Sequence, residues 1–139
     1  MTAKPDFSEL FDAWPQNQGP LKVVFKDLTA KALAKSGARG EMVSRPGVSY
    51  SFRASANGSA ERNRPLFFLV DVVVSSAEPW FLSACFYEDE VSDPEELGNA
   101  IPEGLLGETG YCFDVEEPDD DLIAYIKLRM DEAYLAAVK

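Results

Sequence analysis

Helical spacing at both ends of the chain and period-two alternation between them predict an α+β fold. The expected form is an antiparallel sheet of four to five strands, with two N-terminal helices and one C-terminal helix packed mainly on one face. At 139 residues, 46% apolar and 27% charged, the chain suits a single domain over residues 1–139, with residues 1–5 disordered.

Phe7, Leu10, Phe11 and Trp14 recur at i, i+3, i+4 and i+7, Asp6 and Glu9 have capping-box spacing, and Pro15 ends this first helix. From Pro20, a stripe of Leu21, Val24, Phe25, Leu28 and Ala32 predicts a second helix running to about Lys35, stopped by Gly37 and Gly40. The period then changes. Val48, Tyr50 and Phe52 alternate with Ser49, Ser51 and Arg53 as a first strand. Asn57-Gly58 predicts a reversal into the almost wholly apolar run Leu66 to Val74, a strand expected at the sheet centre with both faces covered. Trp80 to Tyr87 is the third strand. Residues 88–110, acidic and broken by glycines and prolines, read as a long excursion holding at most a short helix from Asp93 to Leu97. Tyr111 to Val115 is the fourth strand, and Pro118 opens a last helix with Leu122, Ile123, Ile126, Met130 and Ala133 on one stripe.

Composition limits the chemistry. The chain has no histidine, which removes imidazole acid–base catalysis and every His-containing metal site. A net charge of -11 disfavours nucleic acid and anionic membranes as partners. That total conceals an asymmetry: residues 1–64 carry 10 basic and 6 acidic side chains, whereas residues 65–139 carry 3 basic and 18 acidic. Cys85 and Cys112, 27 positions apart in two strand-like runs, fit no CxxC or metal-knuckle spacing and are read as buried reduced thiols. The polar N-terminus lacks a secretory pattern and no apolar run is long enough to span a bilayer, so a cytoplasmic location without membrane attachment is expected.

Four features are candidates for function. Arg45, Arg53, Arg62 and Arg64 can capture an anion bidentately, or can pair with the acidic half of the chain. Glu116, Glu117, Asp119, Asp120 and Asp121 can ligate a divalent cation weakly, or serve only to cap a helix. The acids from Glu88 to Glu96 can face a basic partner, or protect a sheet edge. Asp71, an isolated carboxylate in an apolar strand, requires an ion pair, for which Arg53 is the neighbour expected, a hydrogen bond, or else a raised pKa.

The order of elements, VSYSFR then PLFFLVDVV, WFLSACFY, and YCFDVEEPDDDLIAYIKLRMDEAY, resembles that of the small bacterial YdhG-like proteins over roughly residues 21–134. The resemblance implies a frataxin-like arrangement of helices and sheet. Because some of those proteins are described as iron chaperones, it also implies iron as a cation to try; it assigns no residue a role. No cofactor is expected beyond a weakly held divalent cation. The sequence favours a non-catalytic binding or adaptor module that offers an acidic surface to a basic protein. The alternatives are a weak cation-binding or iron-binding protein, and a carboxylate-dependent enzyme in which Asp71 works with Asp114 or Tyr87.

Overall fold

The computed structural model describes residues 5–56 and 64–138. Helix α1 (Ser8–Ala13) leads through a 3-10 turn (Gln16–Gln18) into α2 (Gly19–Leu33). The sheet strands are β1 (Arg39–Arg45), β2 (Ser49–Ser55), β3 (Phe68–Val73), β4 (Phe81–Tyr87), β5 (Asn99–Leu105) and β6 (Glu108–Val115), and α3 (Asp120–Val138) closes the fold. The strands lie in the order β1-β2-β3-β4-β6-β5, every neighbouring pair antiparallel. The predicted fold class is therefore the observed one, with six strands in place of four to five.

The apolar stripes explain the layers. Tyr50, Phe52 and Ala54 of β2, Phe68, Val70 and Val72 of β3, Leu82, Ala84 and Phe86 of β4, and Phe113 and Val115 of β6 point to one face, where the helices cover them. All three helices contribute to this core: Leu10 from α1 with Trp14 just after it, Phe25 and Leu28 from α2, Ile126 and Met130 from α3. Gln18 pins the helical layer to the sheet, its amide donating to Trp80 O at 2.9 Å and accepting from Trp80 N at 3.0 Å. Lys127 pairs with Asp27 at 2.7 Å, and Lys35 with Asp131, so ion pairs tie α3 to the α2 region.

Several expectations need correction. Asp6 accepts from Ser8 N at 2.9 Å and so acts just outside α1, whose N-cap is Phe7 with no side-chain bond; the capping box is absent. Gly40 does not stop a helix but sits inside β1, where a Cβ would fall 2.6 Å from the Phe52 ring. β1 went unread because, of its seven residues, only Met42 and Val43 are large and apolar, as suits an exposed edge strand held mainly by backbone pairing.

The 88–110 excursion is largely ordered structure. β5 and β6 form a hairpin in which Leu105 pairs with Glu108 across a two-residue turn, Leu106 at φ 51° and Gly107 at φ 85°. Both signs are those of a type I′ turn, whose twist matches that of the strands. No helix covers Asp93 to Leu97, which is a turn. β3 is central as expected, but its second face is only partly covered: Leu69 is buried while Asp71 and Val73 are half-exposed. The Asn57-Gly58 reversal and residues 1–4 lie outside the described residues.

Candidate functional site

Register fixes what the helix-free face displays. Ser51 pairs with Asp71, Asp71 with Ser83, and Ser83 with Asp114, so four polar side chains cross four strands in one row. The next row runs Arg53, Leu69, Cys85, Cys112. Above it the tip of the β5–β6 hairpin bends over the sheet, and Leu105, 2% exposed, inserts into a small second core with Leu66, Leu69, Cys85, Tyr87 and Cys112. The covered space is a pocket of about 240 Å³, lined by Arg45, Ser49, Ser51, Arg53 and Asp71 on the sheet side and by Gly104–Leu106 at the hairpin tip.

Asp71 therefore lies in a concavity with two arginines on its walls. Burial pushes its carboxyl above the usual range, and the Ser51 hydroxyl and the charges of Arg53 and Arg45 offset this only in part. The expected Arg53–Asp71 ion pair is not formed. Arg53 stands opposite Leu69, diagonal to Asp71, and its Nε donates to Ser51 Oγ at 3.3 Å. Among the described residues neither Arg45 nor Arg53 makes an ion pair, so two guanidinium groups keep donors free beside one carboxyl. Asp114 is separated from Asp71 by the Ser83 strand and Tyr87 belongs to the second core, so neither side chain is positioned as a direct acid–base partner.

No protein-family model matches the chain, nor does any curated protein or solved structure.

Arg64, expected with the anion-binding group, is instead engaged by carboxylates. Its guanidinium reaches Asp89 at 2.7 Å, Glu90 at 3.1 Å and Glu108 at 2.7 Å, and lies 4.7 Å over the Tyr87 ring. Its hydrogen bonds to Glu108 and Asp89 hold it charged, its pKa raised beyond the ordinary arginine value. Pairing with the acidic half, the alternative weighed for the arginines, is thus what Arg64 does. Replacing Arg64 with Ala should lower stability by about 1–2 kcal/mol, because Glu90, whose side chain is 7% exposed, loses a partner where solvent cannot replace it. Chemical denaturation measures this, and an unchanged midpoint would show the cluster to be energetically idle. Arg62 lies outside the described residues.

The proposed metal ligands do not converge. Glu116, Glu117, Asp119, Asp120 and Asp121 are all exposed, and among the described residues no three acidic or cysteine side chains are grouped to hold a metal ion. Asp119 caps α3, its carboxylate accepting from Leu122 N at 3.1 Å. The cysteines differ from expectation too: Cys85 and Cys112 are register partners on β4 and β6 and form a disulfide. Their 27-residue separation carried no sign of this, since direct opposition across two strands is a property of register.

The acidic loop contains a residue that sequence reading missed. Asp93 accepts from the hydroxyls of Tyr111 and Tyr125, the latter at 2.6 Å, and from the amides of Leu97 and Gly98 at 3.0 and 2.9 Å. Aspartate before Pro94 was the available signal, since Asp side chains commonly bond amides further along a turn.

Proposed function

We propose that this protein is a non-catalytic binding module that presents the β5 edge of its sheet to a basic protein partner. The observation that carries the reading is the way the sequence asymmetry is laid across the sheet. Arg39, Arg45 and Arg53 stand on β1 and β2 at one edge, whereas Glu95, Glu96 and Glu103 are exposed in and before β5 at the other. Leu97 and Ile101, 46% and 42% exposed, lie among those acids. Apolar anchors inside a charged rim are the composition of a recognition surface, with the charges setting encounter rate and partner choice.

Side chains rather than backbone would make the contact. β5 is interrupted by a register shift between Ile101 and Leu105, contains Pro102, and holds Glu103 at φ 58°, devices that blunt an edge against strand addition. Among the described residues no helix is long and apolar enough to cross a membrane. A cytoplasmic location belongs to the same proposal, and because disulfides are rare there the Cys85–Cys112 pair would then be reduced in the cell.

A photo-crosslinker placed at Ile101 in the native host, with a second at the exposed Val23 of α2 as control, tests the proposal. A basic protein captured at position 101, absent from position 23 and weakened about tenfold in affinity by Glu95→Lys with Glu103→Lys, is the expected result. Capture of the same protein at both positions, or of one that is not basic, would overturn it.

A further inference from the structure

The pocket on the helix-free face is distant in character from the acidic edge and is not used by the proposed partner. We propose that it binds a small hydroxy-substituted monocarboxylate, with the ligand carboxylate on Arg45 and Arg53 and the ligand hydroxyl donating to Asp71.

Three observations converge on that chemistry. Arg45 and Arg53 line one wall of the pocket without an ion pair, so the guanidinium donors suited to a carboxylate are not already neutralised. Asp71 is set in the same pocket, the one acidic side chain lining it among the described residues, and an ionised carboxylate accepts hydrogen bonds and donates none. Two guanidinium groups face the Asp71 carboxylate in the pocket, and Glu41, outside its lining, stands opposite Arg53 on β1, so any local excess of positive charge is small and suits a monoanion. A phosphate dianion would exceed it, and it would also lack the helix N-terminus or glycine-rich loop that commonly receives phosphate, because the helices pack on the opposite face. A volume near 240 Å³ lies below the ~300–1,000 Å³ of drug-sized sites, so the ligand is small. Arg53 and the roof are preorganised: Arg53 Nε is oriented by Ser51, which is 5% exposed, and the roof is held by the burial of Leu105.

Lactate, propionate and inorganic phosphate, titrated into the full ¹⁵N-labelled chain, distinguish the outcomes. Lactate should shift the amides of Ser51, Asp71 and Leu105 saturably, with a millimolar Kd about fivefold tighter than that of propionate. Arg45→Gln with Arg53→Gln should abolish both responses. Asp71→Val, which replaces a buried carboxyl with a good strand former, should retain propionate binding and erase the preference for lactate. The absence of a saturable shift up to about 50 mM lactate would overturn the proposal. So would shifts unchanged in the double arginine variant, or phosphate binding tighter than lactate binding. Thermal midpoints of each variant separate loss of binding from loss of folding.

Discussion

Replacing both Cys85 and Cys112 with alanine lowers the stability of the oxidised protein by about 3 kcal/mol and loosens the β5–β6 hairpin more than the helical layer. The bridge joins β4 to β6 and closes a loop of 27 residues that contains β5 and the whole acidic segment before it. Chain-entropy reasoning gives about 3–4 kcal/mol for a loop of that length. The effect should be unevenly distributed, because β5 has little besides its pairing with β6 to hold it: six of its seven residues are exposed and only Leu105 is buried. Cys85 and Cys112 also lie in the second core beside Leu105, so the substitution removes sulfur packing from the surface on which the hairpin tip rests. Urea denaturation reads the loss of stability, and amide exchange reads its location. Equal protection of β5 in the bridged and unbridged chains would refute the second half of this expectation, and an unchanged midpoint the first.

Legibility in the sequence followed burial. α2, α3, β2, β3, β4 and β6 each bury one stripe against a single core, so their periods of 3.6 or 2 are written in Leu, Val, Phe and Ile and can be read without partners. β1 and β5 are the two sheet edges and bury almost nothing, which leaves their sequences RGEMVSR and NAIPEGL without alternation; pairing alone makes them strands. The site divides in the same way. Arg45, Arg53 and Asp71 were identifiable from residue type and strand position, and the sheet brings them to one pocket. The hairpin tip that roofs them, the disulfide beneath that tip and the carboxylates around Arg64 depend on register and on a turn at Leu106-Gly107 that lacked an Asn-Gly or Asp-Gly signature. Interactions between elements far apart in sequence are settled by topology, which local patterning does not encode.

Substituting Asp93 with alanine is expected to cost about 2–3 kcal/mol despite the residue's place in an acidic surface loop. Its carboxylate receives four hydrogen bonds from three directions: the Leu97 and Gly98 amides that shape the turn, the Tyr111 hydroxyl from β6 and the Tyr125 hydroxyl from α3. Truncation leaves all four donors seeking water, at roughly 1 kcal/mol for each poorly hydrated one, and partial exposure keeps the total below the full sum. Asp93→Asn, which preserves shape and one acceptor oxygen, should recover about half. The ionised state carries the pH dependence. Burial raises the Asp93 carboxyl, but bonds from Tyr111 and Tyr125 and from the two amides outweigh it, so the folded pKa lies well below that of the unfolded chain. Stability from this group is therefore complete above the ordinary carboxylate range and is lost as pH falls below about 4. Tyr111 gives the opposite limb: its bond to Asp93, then burial, push its hydroxyl up to about 12, so its contribution is intact below about 10 and disappears as pH rises toward 12. Denaturation midpoints of the parent chain and Asp93→Ala measured from pH 2 to pH 11 should therefore differ most on the plateau between about 4 and 10 and narrow on either side of it. A difference that stays constant across that range would mean that Asp93 acts by shape alone, and a larger gap at low pH would reverse the sign assigned to its charge.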